Sequence, residues 1–328
     1  MLTGILDNLL LNGDFLPDLW ARLPDSRASV ECPTWRQTFA VDRWKIRYAM
    51  PHGAGIRQAM SSDVPMQAAA ARSLELRGAT GVTQPVFLGQ RIEAAEAVRY
   101  RRRMIFSAWV RIEHPDRGRK EVDLTIGTAR DPDVFGNPFN DNVRNEVSIR
   151  FEEAPVGRWW LIERDIDGRG FAPNGLSVEL EFPADLLDTP DARVRVAAMR
   201  LTDASAAGRS MERAAGVERL LARRFFQRHD SSTVNSLGRA LVVNAHELHF
   251  QFTFAEMRAF PAVTLTHDES QLSVFNLEGI PQTGFTYDVT YRSRGSVILR
   301  ATKENHGLRD GFLSFVGTGG AILLDAEL

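Results

Sequence analysis

Cysteine, long apolar runs and an excess of charge of either sign are all lacking in this chain of 328 residues. The single cysteine, Cys32, excludes an intrachain disulfide, and without partners at ligand spacing it makes no zinc site. No apolar run approaches the ~18 residues that a membrane-spanning helix needs. The first ten residues, MLTGILDNLL, contain Asp7 and no basic segment of a secretory signal. We therefore expect a protein without disulfides or membrane contact, made in the cytoplasm without a signal peptide.

The charge balance argues against a nucleic-acid partner. Lys and Arg total 40 and Asp and Glu total 42, so the net charge of −2 offers no general attraction to a polyanion. Arginines do recur between 213 and 228, where they could contact phosphates. A solvated or ion-paired helix face is the commoner role of such a stripe. We expect no nucleic acid to bind.

The first two thirds of the chain show the alternation of apolar and polar residues that is typical of strands. In MIFSAWVRIE, one face carries Met104, Phe106 and Val110 and the other carries Ser107 and Trp109. One apolar face and one mixed face fit a sandwich strand. The predicted strands are 73–78, 84–92, 104–113, 121–129, 146–153, 158–166, 176–182 and 193–201. We predict an all-β protein whose residues 1–208 form a jelly-roll β-sandwich.

The pattern changes twice after residue 208. Ala214, Val217, Leu221 and Phe225 recur at helical spacing, which predicts a short amphipathic connector helix over 209–230. Alternation returns in HFQFTFA and GFTYDVTYRS, so 231–328 is predicted to be a separate C-terminal β-sandwich. Two apolar runs flank VGTGG in 312–328, which predicts a hairpin there.

The groups of acidic residues and histidines that could support catalysis are poorly placed for it. Glu152 and Glu153 are strand neighbours that point to opposite faces, and Asp165 and Asp167 lie at a predicted turn. The segment HELH at 246–249 lacks the helical spacing of a metalloprotease motif. We predict that the protein is not an enzyme.

Two stretches resemble known families. NLLLNGDF (Asn8 to Phe15), followed in order by Trp44, SLELRG, a strand from Gln84, YRRRMIFSAWVRIE and GRWWLIERDIDG, resembles carbohydrate-binding modules of the family 4/9 type, which are β jelly rolls. RRFFQRHD at 223–230, followed by MRAFPAV at 257–263 and an ending DAEL, resembles the C-terminal domain of phage tail-fibre and tail-spike proteins.

Together these resemblances imply a sugar-recognising fibre or spike on a phage or a phage-derived particle such as a gene transfer agent, made in a bacterium. They imply host surface polysaccharide, such as capsule, and other capsid or tail proteins as partners, with adsorption to the host as the function. Fibres of this kind are usually homotrimers, and a pentamer would suit a head spike. The aromatic rows of the C-terminal domain, which exceed what one small core needs, also favour a homo-oligomer.

Two alternatives remain at this stage. A polysaccharide depolymerase would cut the polymer it binds, but such spikes usually use a long β-helix built from repeats, and no repeat occurs here. A purely structural adaptor would join particle parts without binding any glycan.

The resemblance to the modules does not extend to a structural calcium site. Members often continue the opening motif with Glu, where this chain has Leu16, and they carry an acidic pair where it has Ala197 and Ala198. A calcium cage of six to eight oxygens would be weak with so few carboxylates. We expect no cofactor, and a structural calcium ion is left as an alternative that the sequence disfavours.

Sugar recognition needs flat aromatic side chains for stacking and polar groups for directed hydrogen bonds. The resemblance places Gln84 and Trp109 in strands of the concave sheet that usually binds, although Trp109 could equally be a packing residue. The loop 130–145 contains Phe135 and Phe139, which either bind or tuck under the sandwich. The candidate carbohydrate-binding residues are Trp44, Gln84, Trp109, Phe135, Phe139, Trp159 and Trp160.

Overall fold

The computed structural model divides the chain into two compact units, Met1–Arg219 and Leu220–Glu327. It describes residues 8–15, 30–31, 37–41, 43–48, 55–68, 70, 72–98, 103–116, 118, 120–137, 140–141, 143–168, 174–204, 215–231, 238–265, 272–275, 281–309, 312–315 and 320–326. Both units consist mainly of antiparallel strands, which confirms the all-β prediction. The division falls within the region predicted as a connector.

The described residues of unit 1 form two six-stranded sheets, with strands numbered in chain order. Sheet I has the order β1-β4-β5-β14-β7-β12: Val30–Glu31, Arg57–Ser61, Ser73–Arg77, Arg193–Asp203, Arg103–Glu113 and Trp159–Asp167. Sheet II has the order β11-β8-β13-β6-β3-β2: Val143–Ala154, Lys120–Ala129, Leu176–Phe182, Val86–Ile92, Trp44–Tyr48 and Gln37–Val41. Gly136–Asn137 (β9) pairs with Asn140–Asp141 (β10), and Ala94–Ala97 is a short helix, α1. Every segment predicted as a strand contains one.

One hydrophobic core lies between the two sheets, and strand alternation explains which side chains enter it. In β7, Met104, Phe106, Ala108, Val110 and Ile112 are buried, and the residues between them are partly exposed. The same alternation occurs in β6 and in most of β8 of sheet II. Each sheet therefore contributes one apolar face to the core and has one outward face of mixed polarity.

The opening motif is structural. Asn12 and Gly13 form a turn in which a Cβ on residue 13 would stand 2.0 Å from the carbonyl oxygen of Met199, so only glycine fits. The carbonyl oxygen of Asn12 accepts a hydrogen bond of 2.9 Å from the indole Nε1 of Trp44. The rings of Trp44 and Phe15 lie 5.9 Å apart, and both are fully buried. NLLLNGDF thus closes one end of the core.

The connector helix is shorter than predicted. Helix α2 covers Ala215–Ala222, and Phe226–Ser231 is a strand, β15. Residues 205–214 lie outside the described part of the chain. Phe225 and Phe226 are both buried, and β15 pairs along its whole length with Gly320–Asp325 (β24). Ladder pairing with β24 therefore outweighs the helical pattern after Ala222.

Unit 2 contains a three-stranded and a seven-stranded sheet. The first has the order β15-β24-β18, where β18 is Ala262–Leu265; the second has the order β20-β19-β23-β16-β17-β22-β21: Pro281–Gln282, Leu272–Phe275, Phe312–Phe315, Gly238–Asn244, Glu247–Thr253, Ser296–Thr302 and Thr286–Arg292. The predicted hairpin in 312–328 is wrong, because β23 and β24 belong to different sheets. A turn signal between two apolar runs does not reveal which strands pair.

The aromatic rows of unit 2 mostly supply its own core. Phe250 and Phe285 are buried, and Phe252, Phe254 and Tyr287 pack against the same cluster. The surplus apolar surface expected from these rows is therefore small. Within the part of the chain that the structure describes, no helix is long and apolar enough to span a membrane.

Candidate functional site

The outward face of sheet II carries polar side chains in rows that cross the strands. Antiparallel register places residues of neighbouring strands directly opposite each other, so they share a face. One row is Lys45, Gly89, Glu179, Thr125 and Ser148, and the next is Arg47, Phe87, Glu181, Asp123 and Arg150. We call these two rows the groove face. Five strands, β3, β6, β13, β8 and β11, therefore contribute to one continuous surface.

A depression opens in the groove face at Gly89. Glycine in the interior of a strand marks a close approach of another group, and here that group is the side chain of Glu179. A Cβ on residue 89 would lie 2.7 Å from the Cγ atom of Glu179 and 3.1 Å from the carbonyl oxygen of Val178. The depression is lined by Lys45, Arg47, Phe87, Gly89, Gln90, Arg91, Ser177 and Glu179.

Arg47 is held on two sides beside this depression. Its guanidinium carbon lies 3.9 Å from the centre of the Phe87 ring, a cation–π contact. Its Nη2 atom donates a hydrogen bond of 3.0 Å to Oε2 of Glu179, and both side chains are one quarter exposed. The aromatic ring and the carboxylate hold the guanidinium plane at the edge of the depression.

The other half of the groove face is acidic. Asp123 accepts hydrogen bonds of 3.1 and 3.3 Å from Nε and Nη2 of Arg150. Glu181 lies directly opposite Asp123 on β13. Burial, and then the charge of Asp123, raise the pKa of Glu181 above its ordinary value, although the charge of Arg47 opposes the shift. A hydrogen bond donated by an external hydroxyl would stabilise this half-buried carboxylate.

The outward face of sheet I is organised differently, around Asp63. Its Oδ1 atom accepts a hydrogen bond of 3.2 Å from Nε1 of Trp159. Its Oδ2 atom lies 2.9 Å from Nη1 of Arg111 and 3.1 Å from Nη1 of Arg195. Arg195 is nearly buried and also binds Glu75 at 2.6 Å and Glu113 at 2.9 Å. The carboxylates and guanidinium groups of this network neutralise each other, which is typical of a structural role.

The predicted site residues do not come together. Trp109 is partly exposed on the outward face of sheet I, which is the opposite side of the sandwich from the groove face. Trp159 lies on the same face as Trp109, two residues along the neighbouring strand from Leu161, which is directly opposite Trp109. Gln84 is exposed but precedes β6 instead of lying in it. Gln84 and Trp109 therefore cannot share one binding surface, and that prediction is corrected.

Two predicted binding aromatics belong to the interior. Trp44 is fully buried, and Phe135 is 2% exposed beneath the turn at Gly175. These two cannot stack on a ligand, because large aromatics gain more from filling a sandwich core. Trp160 is partly exposed and packs against the core with its ring 6.2 Å from that of Phe151. Phe139 lies outside the residues whose side chains are described.

The acidic residues and histidines considered as catalytic candidates do not form a common site among the described residues. Asp165 forms an ion pair with Arg103 on sheet I, and Glu152 and Glu153 are exposed. His249 and Glu247 bond to each other at 2.6 Å in unit 2. Among the described side chains, no group of three or more His, Cys, Asp or Glu is placed to hold a metal ion.

Sequence reasoning missed Arg47, Phe87 and Glu179. The available signal was Gly89 in the middle of the apolar run VFLGQRI, since an isolated glycine in a strand indicates close approach. The large aromatics drew attention instead, although two of them, Trp44 and Phe135, are buried. The sequence also could not predict the cross-strand rows, because residues 45, 89, 125 and 179 are far apart in the chain.

No protein-family model and none of the curated proteins matches the chain. Among solved structures, a family 4 carbohydrate-binding module is 13% identical, with 49% of this chain and 86% of that chain covered and a TM-score of 0.31. The enzymatically active domain of tailspike protein 4 of bacteriophage CBA120 is 11% identical, with 60% of this chain covered and a TM-score of 0.34. An arabinose-bound α-L-arabinofuranosidase is 13% identical, with 61% of this chain covered and a TM-score of 0.36.

The chain spans 21% of the length of the tailspike domain and 27% of that of the arabinofuranosidase. Identities and TM-scores this low do not indicate a function. The function is therefore argued from the side chains of the groove face.

Proposed function

We propose that unit 1 binds a polysaccharide along the groove face. The observation that carries the proposal is the row structure itself: five strands present donors, acceptors and one aromatic ring along a trough that Gly89 opens. A sugar ring offers hydroxyls that both donate and accept, and apolar C–H faces. Lys45, Arg47 and Arg150 can donate, and Glu181 and Asp123 can accept.

We further propose that this binding serves a fibre or spike of a phage or phage-derived particle, with host surface polysaccharide as the receptor. Support comes from the resemblance of 223–230 and 257–263 to fibre C-terminal domains. Unit 2 would then hold copies of the chain together, and other particle proteins would attach to it.

The experiment for the first proposal is an array of bacterial surface polysaccharides probed with the full-length protein. We expect at least one polysaccharide to bind. Glu179→Ala and Arg47→Ala should each weaken that binding by about tenfold, the size expected for a lost charge-assisted hydrogen bond. Trp109→Ala, on the opposite sheet, is the matched control and should bind as the wild type does. Loss of binding in Trp109→Ala alone would move the site to sheet I.

Cleavage of the bound polymer is a second candidate, favoured by one observation. Glu181, whose pKa is raised, lies opposite Asp123, whose carboxylate accepts a hydrogen bond of 3.1 Å from Arg150, and glycosidases use a pair of carboxyl groups in different environments. We propose binding without cleavage, because Glu181 and Asp123 are neighbours on the outward face of one sheet, whereas the two carboxyl groups of a glycosidase flank the bond that is cut. New reducing ends appearing with the wild type and not with Glu181→Gln would establish the enzyme instead.

A further inference from the structure

We infer that His229 and Gln227 form a pH-sensitive latch on strand β15 of unit 2, and that mild acid opens this latch. Residues two apart in a strand share a face, and these two lie directly opposite Ile322 and Leu324 of β24. Ile322 and Leu324 belong to the hydrophobic core of unit 2. The latch therefore places an imidazole and an amide on the core-facing side of β15.

Gln227 ties three segments of unit 2 together. It is 6% exposed, and its Nε2 atom donates hydrogen bonds of 3.1 Å to the carbonyl oxygen of Arg223 and of 2.6 Å to that of Ala255. Because the amide nitrogen faces these two carbonyl groups, the Oε1 atom is the acceptor for Nε2 of His229, 3.3 Å away. The residue after helix α2, strand β15 and the segment after β17 thus meet at one side chain.

The surroundings of His229 favour the neutral imidazole. The proton on Nε2 is donated to Gln227, so an additional proton would go to Nδ1, for which the described residues offer no acceptor. The imidazole ring lies 4.6 Å from the ring of Phe252 on β17 and 6.4 Å from that of Phe254 just after it. On the other side, β24 presents Ile322. Charging an imidazole among hydrocarbon side chains costs free energy, because the cation loses water.

Two charged groups act on the imidazole ring. Arg223 repels an imidazolium, and Asp230, which also binds Arg228 at 2.7 Å, attracts it. Burial, followed by the charge of Arg223, holds the pKa of His229 below the ordinary 6.5, although Asp230 opposes the shift. A His229 that has left the core therefore takes up a proton more readily than one in the closed latch. The stability that this difference gives is present above pH 6.5 and is lost as the pH falls through the lowered pKa.

Amide hydrogen exchange of the full-length protein tests the latch. Protection is compared at about pH 7.5 and about pH 5.5, on either side of the ordinary pKa of histidine, after correction for the intrinsic exchange rates. We expect the backbone amides of β15 and β24 to lose protection in acid and those of sheet II in unit 1 to keep it. Unchanged protection in β15 would overturn the inference, and so would a gain, which a cation–π contact with Phe252 would produce.

Variants assign the acid response to His229. His229→Gln cannot titrate and should show the same protection at both pH values. Arg223→Gln, which removes the repelling charge from an exposed position, should reduce the loss of protection in acid, and Asp230→Asn should increase it. These two variants leave the imidazole ring in place, so they test the latch even where His229→Gln does not fold.

The control lies in the same unit. His249 is partly exposed on β17 and bonds to Glu247, and His249→Gln should lose protection in acid as the wild type does. The same loss in His229→Gln as in the wild type, or equal losses in the two charge variants, would overturn the inference.

Discussion

Glu179 lies over Gly89 so closely that a Cβ on residue 89 would stand 2.7 Å from its Cγ atom. The glycine makes room for the carboxylate side chain, and the carboxylate in turn holds Arg47 at 3.0 Å. The depression, the ion pair and the orientation of the guanidinium therefore depend on one missing methyl group.

Replacing the Cα hydrogen of Gly89 by a methyl group should weaken polysaccharide binding more than it destabilises the fold. In Gly89→Ala the side chain of Glu179 must move, which breaks its bond to Arg47 and should weaken polysaccharide binding by about tenfold. Gly295→Ala, where the nearest atom to a new Cβ is 3.7 Å away, is the control and should bind normally. Titration calorimetry and thermal melts on both variants check this, and unchanged affinity in Gly89→Ala would contradict the assigned groove.

Polysaccharide binding should depend on the ionisation of Glu181. Its pKa is raised above the ordinary 4.5 by burial and by Asp123, and its carboxylate form is the one that accepts sugar hydroxyls. Affinity should therefore decline as the pH falls through this raised pKa. Glu181→Gln, which cannot titrate, should bind more weakly at neutral pH and show a flatter pH profile. The same decline in Glu181→Gln as in the wild type would assign the titration to another group.

Trp44 should matter for stability and Trp109 should not. Truncation of a buried tryptophan costs about 3–5 kcal/mol, and Trp44→Ala also leaves the carbonyl oxygen of Asn12 without its indole donor. Trp109→Ala removes a partly exposed ring and should reduce the free energy of unfolding by far less. Urea unfolding of the two variants measures the difference, and comparable losses would show that Trp109 also packs as a core residue.

The Asp63 network should make unit 1 sensitive to acid. Burial by itself raises the pKa of Glu75, but hydrogen bonds and charges from Arg77 and Arg195 outweigh it and hold the pKa below 4.5. The ionised Glu75 therefore contributes stability above pH 4.5, and this contribution is lost as the pH falls through the lowered folded-state pKa.

Removing one of the two partners of Glu75 provides the variant for this prediction. Arg195→Met leaves the buried Glu75 with Arg77 beside it and should destabilise unit 1 at neutral pH by up to about 3 kcal/mol. Its acid sensitivity should also be smaller than that of the wild type. Thermal melts at a series of pH values check both, and a parallel pH profile in the variant would contradict the role of Glu75.

Oligomerisation should depend on the outward face of the seven-stranded sheet. Leu241 is 67% exposed and Tyr291 is 52% exposed, and the strand registers place both on this face. Leu241→Lys with Tyr291→Lys should convert the oligomer to monomer in light scattering, because two charges would be buried in the interface. Phe260→Ser, which removes an exposed aromatic outside the strands, is the control. A wild type that is monomeric would contradict the proposal.

Local sequence patterns were sufficient to predict the strands of unit 1. Alternation in MIFSAWVRIE correctly separated the buried Phe106 and Val110 from the partly exposed Trp109, because the period of a strand is two whatever its partners are. The same reasoning failed at 223–230, where a helical pattern gave way to pairing between β15 and β24. Pairing across about 95 residues of chain leaves no trace in a local window.

The sequence by itself determined the all-β class, the strand periodicity and the Asn12–Gly13 turn, since each follows from interactions between near neighbours. Only the tertiary structure decided the site. It buried Trp44 and Phe135, placed Trp109 and the groove face on opposite sheets, and aligned Lys45, Gly89 and Glu179 in one row. Sheet order and register set these relationships, and they arise from long-range packing that residue spacing along the chain does not encode.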